Sequence, residues 1–288
     1  MKAPSQPSWH LADTLVAAAV LLAVLAVFWQ ITYNLEYDWE WSRTVSYIAS
    51  YGEDGLRSGL IADGFITMVR LLVLAGIGAA LLGVALGIAG NSRIAGLRLL
   101  SAGYVEFVRN QPLLVFLFVF YYFISDRIVP QGDLGLGDGF VAQVLFGDTS
   151  RASALVSGAL CLMFYEAAFV AEIVRGGIQS VDSGVVEGGR ALGLRKLQIL
   201  RLIVLPIALR RTVPPLVSQT VLLVKNSSVI SVISVQELTF AALETANSID
   251  TFFEPLLLAA FLYFIICWPL TVIAGRMELP AGQPGLAR

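Results

Sequence analysis

The sequence predicts an all-α integral membrane protein with about six transmembrane helices. Of its 288 residues, 57% are hydrophobic and only 14% are charged, whereas a soluble domain carries about 25% charged residues. Six apolar runs are long enough to cross a bilayer, which takes about 20 residues. Basic residues concentrate in alternate loops, as expected of a chain that crosses a membrane repeatedly.

The six candidate spans carry individual features. The first is not followed by a small-residue cleavage site, which favours a retained helix over a cleaved signal peptide. The second contains Gly83 and Gly87, a pair suited to close helix packing either within the chain or between two copies. The third contains Pro112, and the fifth begins with Pro214-Pro215. The spans are Leu11–Ile31, Gly64–Gly90, Leu97–Ser125, Ala152–Val174, Val213–Val235 and Phe252–Ala274.

The distribution of basic residues predicts that both termini are cytoplasmic. With this orientation, the inner loops and tail hold Arg93, Arg98, Arg175, Arg190, Arg195, Lys196, Arg201, Arg210, Arg211, Arg276 and Arg288. The outer loops hold only Arg43, Arg57, Arg127 and Arg151. The predicted organisation is a cytoplasmic N-terminus (1–10), a transmembrane helix (11–32), a periplasmic segment (33–63), a helical core (64–276) and a cytoplasmic tail (277–288). Part of Ser42–Leu60 is a candidate surface helix.

The residue types disfavour several function classes. His10 is the only histidine, and Cys161 and Cys267 lie in apolar runs without metal-ligand spacing, so no metal site is predicted. The net charge of −2 does not indicate nucleic-acid binding. No lysine follows a glycine, which excludes a G-x-x-x-x-G-K-[ST] phosphate loop. No cluster of catalytic residue types is visible, so a membrane enzyme is disfavoured.

The connection between the fourth and fifth spans, residues 176–211, is long for a compact helical bundle. Its apolar residues recur at helical spacing. Asp182 and Ser183 are candidate caps, Glu187 is expected in the first turn or so, and Gly193 is a candidate helix end. Pro206 is expected to break or kink a second helix. Two short amphipathic helices at the cytoplasmic face suit either a lipid surface or a docking partner.

The same connection carries a spaced motif. Glu187-Gly188-Gly189 is followed after three residues by Gly193, and after nine more by Ile203-Val204-Leu205-Pro206. This pattern resembles the E-A-A-x3-G-x9-I-x-L-P loop of permeases from binding-protein-dependent ABC importers, with two glycines in place of the alanines. Since glycine costs about 1 kcal/mol relative to alanine in a helix, the coupling helix is expected to depend on its partner for order. The candidate coupling residues are Glu187, Gly188, Gly189, Arg190, Ala191, Leu192, Gly193, Ile203, Leu205 and Pro206.

Four further phrases resemble the polar amino-acid uptake branch of this family. With them, the resemblance covers about Gly55 to Arg276. The phrases are Gly64-Phe65-Ile66-Thr67, Arg109-Asn110-Gln111-Pro112-Leu113-Leu114, the series Tyr165, Ala171, Glu172, Arg175, Gly176, Gly177 and Ile178, and Lys225-Asn226-Ser227-Ser228.

The resemblance implies both a fold and a set of partners. The fold is the five-helix type I importer permease core, here preceded by an N-terminal helix, in a bacterial inner membrane. Two permease subunits pair, as a homodimer or with a related subunit, above two ATPase subunits that bind ATP and Mg²⁺. A periplasmic or tethered binding protein delivers an amino acid. This chain itself is expected to hold no cofactor and no catalytic residue. An importer for another small polar solute, such as an opine, and an ATP-independent secondary transporter are the alternatives.

Polar residues within the spans mark either a transport pathway or buried structural contacts. Glu106–Arg109 and Glu172–Arg175 have the i,i+3 spacing of helical ion pairs and are candidate structural or gating pairs. Glu166 and Lys225 lie near mid-span, where they would either pair with each other or bind the charged ends of an amino acid. The pathway candidates are Glu166, Lys225, Asn226, Ser227, Ser228, Thr67 and Gln111.

Overall fold

The computed structural model describes residues 11–34, 37, 39–52, 55–129, 145–146 and 152–277. The chain forms two units, Met1–Trp41 and Ser42–Arg288. In the first unit, helix α1 spans Leu11–Asn34 and contains the apolar stretch Thr14–Val27. The predicted first span is therefore helical, and its crossing of the membrane stays a prediction. The predicted cytoplasmic N-terminus (1–10) and residues 278–288 of the predicted tail lie outside the described residues.

A short helix and a β-hairpin precede the long helices. Helix α2 spans Trp41–Ser46, and strands β1 (Ala49–Gly52) and β2 (Gly55–Ser58) pair antiparallel. The helix predicted within Ser42–Leu60 is thus confined to its first residues. Extended backbone follows, with Gly55 at φ 99°, a conformation that glycine adopts without a steric penalty. The amide of Gly59 donates to the carbonyl of Ile48 at 2.8 Å, which ties the hairpin base to the next helix.

The long helices of the second unit follow the hairpin. The α-helices of this part are α3 (Leu60–Gly90), α4 (Ala95–Arg109), α5 (Leu113–Val119), α6 (Asp126–Ile128), α7 (Ala152–Gln179), α8 (Ser183–Ala191), α9 (Lys196–Ile199), α10 (Leu205–Ser227), α11 (Leu238–Ile249) and α12 (Phe253–Met277). Among the described residues, four helices can cross a membrane by length and composition: α3, α7, the continuous helix Lys196–Ile233 and α12. The bent pair of α4 with Leu113–Ser125 makes five, which confirms the predicted five-helix core.

Helices α3 and α7 pack closely through glycines of α3. A Cβ atom at Gly83 would lie 2.5 Å from the Cβ of Val170 and 2.9 Å from the carbonyl oxygen of Ala167. A Cβ atom at Gly87 would lie 2.7 Å from the Cβ of Val174. The small-residue pair therefore packs within the chain, where it lets the two helix backbones approach.

The third predicted span is not one straight helix. Helix α4 and the stretch Leu113–Ser125 meet at an angle of 110°, whereas the sequence predicts a continuous span over Leu97–Ser125. The break falls at Pro112, whose backbone is extended (φ −60°, ψ 135°). Proline lacks an amide hydrogen and disfavours helical backbone at the preceding residue, so the chain turns between Arg109 and Leu113.

The fifth predicted span begins much earlier than the sequence indicates. Helix runs from Lys196 to Ile233, and Pro214 and Pro215 lie inside it rather than at its start. Pro206 stands in the first turn of α10 and does not end the helix. Instead, a π-helical turn, Leu200–Val204, precedes it. Such a turn adds a residue to the helix and shifts the hydrogen-bond ladder, at the place where proline offers no amide hydrogen.

We expect Gly83→Ala to destabilise the second unit by about 2 kcal/mol, because the added methyl overpacks the α3–α7 contact. The matched control is Gly103→Ala in α4, where an added Cβ atom has nothing within 4 Å. That change should be neutral or stabilise by up to about 1 kcal/mol through helix propensity. Thermal unfolding of the purified protein in detergent measures both. Equal midpoints for the two variants would contradict the packing described here.

Candidate functional site

The spaced motif forms a short helix with a defined cap at each end. Asp182 caps α8, accepting a hydrogen bond from the amide of Gly184 at 2.7 Å. At the other end, Gly193 has φ 76°. Its amide donates to the carbonyl of Arg190 at 2.9 Å, and that of Leu194 donates to the carbonyl of Gly189 at 3.1 Å. These two bonds with a left-handed glycine between them are a Schellman motif, so Gly193 ends the helix as the sequence predicts.

The motif positions that are far apart in sequence meet in the fold. Gly189 is buried, and a Cβ atom there would lie 2.7 Å from the Cδ1 of Ile203 and 3.4 Å from the Cγ1 of Ile199. Gly188 is exposed and has open space around it. The motif spacing therefore brings the middle of α8 against the start of the long helix that follows.

The opposite face of α8 is open. Glu187 is exposed, and the side chain of Leu192 is 82% exposed. Glu187 is the fifth residue of α8 after the cap Asp182, so it lies just past the first turn, close to its expected position. Arg190, Ala191, Leu205 and Pro206 are exposed as well, and Ile203 is half-buried.

The helices on either side of this segment hold it in place. The guanidinium of Arg211 in α10 donates to the carbonyl of Ser180, just after the end of α7. Gly177 of α7 lies directly against the side chain of Thr212, whose hydroxyl donates to the carbonyl of Ala208 at 2.6 Å. The connection is thus a short capped helix fixed between the ends of two long helices.

The charged residues at this end of α7 form a triad. Arg175 donates to both carboxylate oxygens of Glu172, at 2.6 and 2.9 Å. Arg109, the last residue of α4, lies 3.8 Å from Glu172 and over the ring of Phe169 at 5.7 Å. No ion pair joins Arg109 to Glu106 in the part of the chain that the structure describes, contrary to the expected pair. Helix α4 ends at Arg109 and packs on α7, which directs this side chain to α7 and away from its own helix.

Glu166, one of the predicted pathway residues, is almost completely buried. Its side chain is 1% exposed, and its two carboxylate oxygens accept hydrogen bonds from Gln219 at 2.6 Å and Asn226 at 2.7 Å. Lys225, the alternative partner, is exposed. It precedes Asn226 by one residue, so it points to a different side of α10. The structure therefore brings Glu166 together with Asn226 and not with Lys225.

The remaining pathway candidates do not gather around Glu166. The hydroxyl of Ser227 donates to the carbonyl of Val224 at 2.7 Å, and that of Ser228 to the carbonyl of Lys225 at 2.7 Å, so both turn back on their own helix. Thr67 is half-buried in α3. Gln111 contributes its backbone carbonyl, which accepts from the Tyr165 hydroxyl at 3.4 Å.

A buried acid that the sequence reasoning missed is Glu237. It is 0% exposed and caps α11 by accepting from the amide of Phe240 at 3.0 Å. Its other oxygen accepts from the hydroxyl of Tyr263 in α12 at 2.7 Å. Burial raises the pKa of Glu237, and these hydrogen bonds oppose the shift. The only sequence signal was an acid directly before an apolar helical run, a position where the N-terminus of a helix favours a carboxylate.

A family model described as "Binding-protein-dependent transport system inner membrane component" matches residues 79–278. The chain belongs to this family. It is a multi-pass membrane permease of an ABC import system, a kind of system in which the permease works with an ATPase and a substrate-binding protein.

Relatives of this permease are similar to it in sequence over most of its length. The probable glutamine ABC transporter permease protein GlnM of Bacillus subtilis (strain 168) is 34% identical over 216 residues, covering 75% of this chain and 90% of the relative. The glutamate/aspartate import permease protein GltK of Escherichia coli O157:H7 is 30% identical over 242 residues, covering 84% and 98%. The nopaline transport system permease protein NocM of Agrobacterium fabrum is 31% identical over 182 residues, covering 63% and 69%.

Two solved structures share the fold of this permease. One is a crystal structure of an amino acid ABC transporter with histidines, with a TM-score of 0.62 and 28% identity, covering 76% of this chain and 92% of the other. The second is the MetNI methionine ABC transporter in an inward-facing conformation, with a TM-score of 0.56 and 17% identity, covering 76% and 97%. The latter supports the fold alone.

The two glycines of the motif give opposite expectations for alanine substitution. Gly188→Ala should stabilise α8 by about 1 kcal/mol, because it adds helix propensity in open space. Gly189→Ala adds the same propensity but must displace the Cδ1 of Ile203 from 2.7 Å, which offsets the gain. Hydrogen–deuterium exchange of the Ser183–Ala191 amides in the isolated permease should slow about fivefold in Gly188→Ala and much less in Gly189→Ala. Equal slowing in both variants would contradict the contact with Ile203.

Proposed function

We propose that this permease carries polar amino acids inward across the bacterial inner membrane, driven by a separate ATPase. The observation that carries the proposal is the α8 segment, a capped helix fixed between two spanning helices with Glu187 and Leu192 exposed on its outer face. Relatives named for glutamine and for glutamate/aspartate support an amino acid as the cargo.

In this proposal the exposed face of α8 is the ATPase docking surface. An apolar side chain that is 82% exposed, Leu192, is suited to a pocket on a partner. Motion of the ATPase passes to the spans through the contact of Gly189 with Ile203 and through the hydrogen bond from Arg211 to Ser180. Two ATPase subunits hold ATP and Mg²⁺, two permease subunits pair above them, and ATP hydrolysis takes place entirely on the partner.

The orientation follows from the same assignment. If α8 faces the ATPase, the ends of α7 and the start of the Lys196–Ile233 helix are cytoplasmic, and both termini lie on that side, as the basic residues predict. The hairpin Ala49–Ser58 then lies on the periplasmic side, where the substrate-binding protein delivers its cargo.

Lys225 is the residue of the Lys225-Asn226-Ser227-Ser228 phrase best placed to meet the cargo. Its side chain is exposed on a membrane-spanning helix, and an ammonium group facing lipid is unfavourable. It therefore faces either the transport pathway or the second permease subunit, and an ammonium in the pathway would attract the carboxylate of an amino acid.

An opine is the second candidate cargo, favoured by the likeness to the nopaline permease NocM. Opines carry the same amino-acid carboxylate but are larger and more acidic molecules. A transport assay therefore distinguishes an opine from an amino acid as the cargo. The permease, its ATPase and its substrate-binding protein would be reconstituted in proteoliposomes with ATP on the ATPase side. We expect ATP-dependent uptake of radiolabelled glutamine, glutamate or aspartate that excess nopaline does not inhibit. Uptake of nopaline alone would replace the amino-acid assignment, and uptake without ATP would refute the importer.

Leu192→Ala should weaken binding of the ATPase about tenfold, because it removes an exposed apolar anchor from the docking face. The control is Leu81→Ala in α3, a leucine that is 70% exposed on a membrane-spanning helix. That change should leave ATPase binding unchanged. Copurification of the ATPase at graded salt, or titration of detergent-purified permease with ATPase, measures the difference. Equal affinity in wild type and Leu192→Ala would show that α8 is not the docking face.

A further inference from the structure

Among the described residues, Glu166 is the only acid whose carboxylate accepts hydrogen bonds across the contact between α7 and α10. Both donor amides lie on one helix: Gln219 and Asn226 are seven residues apart, which is two turns of α10 and places them on the same face. Gln219 donates to one oxygen at 2.6 Å and Asn226 to the other at 2.7 Å. The carboxylate is 1% exposed, so neither water nor a cargo molecule reaches it in this conformation.

This contact belongs to a series that runs the length of the α7–α10 pair. Near α8, Arg211 is bonded to Ser180 and Gly177 lies against Thr212. At the far end, a Cβ atom at Gly158 would lie 2.6 Å from the Cγ2 of Ile230, which is in the 3₁₀ turns that continue α10 to Ile233. The Glu166 contact stands between these two ends. It is the only one of the series with directional hydrogen bonds deep within the span.

Two hydrogen bonds to a single carboxylate fix the register of the two helices. A slip of α10 by one residue would rotate both amides by about 100° away from α7 and leave a buried polar group without hydrogen-bond donors, which is unfavourable. Packing contacts alone, such as those at Gly177 and Gly158, tolerate small shifts along the helix. Glu166 therefore specifies one arrangement of α7 and α10.

We propose that Glu166 is a positioning residue that makes α7, α8 and α10 move as one body, and that it does not contact the cargo. The inference rests on the proposed function, because it assigns the path by which motion at α8 reaches the Lys225-Asn226-Ser227-Ser228 phrase. Holding Asn226 also fixes which side of α10 presents Lys225, one residue earlier in the chain.

An exchange of the acid and the amide tests this role. Asn226→Asp places two carboxylates together and breaks the contact. Adding Glu166→Gln restores it with the charge moved to position 226, since a glutamine at 166 can accept from Gln219 and donate to the new aspartate. The control is Glu106→Gln, which removes an exposed acid of α4. Each variant would be reconstituted with the ATPase and the loaded substrate-binding protein, and uptake would be measured with whichever of glutamine, glutamate and aspartate the wild type takes up fastest.

For Asn226→Asp we expect uptake per ATP hydrolysed to fall about tenfold, with ATPase activity retained and the KM for the loaded binding protein unchanged. The double variant Glu166→Gln/Asn226→Asp should recover to within about twofold of wild type, and Glu106→Gln should match wild type. A double variant as defective as Asn226→Asp would overturn the proposal, because a carboxylate that binds cargo must stay at position 166. Normal coupling in Asn226→Asp would overturn it as well.

The failure of the proposed function would look different. In that case the wild-type complex itself would show no ATP-driven amino-acid uptake, whatever the variants do. The positioning role would then be judged by thermal unfolding in detergent, where Asn226→Asp must lower the midpoint and the double variant must restore it. If adding Glu166→Gln does not restore the unfolding midpoint of Asn226→Asp, the contact between positions 166 and 226 is not specific and the positioning role is refuted.

Discussion

The close packing of α3 against α7 is the constraint on which the rest of the second unit depends. In lipid there is little hydrophobic gain from bringing two apolar helices together, so association relies on tight van der Waals contact and hydrogen bonds. Gly83 and Gly87 permit that contact, because their missing side chains leave room for Val170 and Val174. Helix α7 fixed in this way carries both Glu166 and the chain that leads to α8, so the α3–α7 contact positions the site.

The spacing of the coupling motif has a physical explanation in this arrangement. Gly193 turns the chain with a left-handed backbone, and the long helix that follows returns Ile203 to the buried side of α8 at Gly189. A different number of residues between these positions would rotate Ile203 away, since each residue turns a helix by about 100°. In the proposed function, the outer face of α8 binds the ATPase and its inner face transmits the motion of the ATPase.

Much of this could be predicted from sequence, and the failures share a cause. Hydropathy located the apolar helices of the core, though not all of their bounds, and glycine and aspartate signals located the ends of α8, because these depend on local chemistry. The break at Pro112 was missed since hydropathy does not report helix direction. The i,i+3 rule considers one helix at a time, so it missed Glu172 as the partner of Arg109. Opposite charge suggested Lys225 for Glu166, but only the packing of α7 on α10 determines that Gln219 and Asn226 face this acid. Glu237 was missed for the same reason.

Glu166, Glu237 and Glu172 differ in depth, and their hydrogen-bond partners differ accordingly. Glu166 and Glu237 are almost completely buried. Glu166 accepts hydrogen bonds from two side-chain amides, and Glu237 accepts from a backbone amide and a tyrosine hydroxyl. The ion pairs of Glu172 lie at the end of α7, where the side chains are 31–42% exposed. A buried carboxylate is tolerated only while its donors stay in place, so it joins helices that must remain together. An exposed ion pair can separate at low cost because water replaces the partner. The α4–α7 contact has one such pair, Arg109 with Glu172. It also has the hydrogen bond from the Tyr104 hydroxyl to the carbonyl of Phe164 and the packing of Val108 with Tyr165 and Ala168. The α7–α10 contact therefore depends on a buried acid, whereas the α4–α7 contact depends on apolar packing and exposed charge.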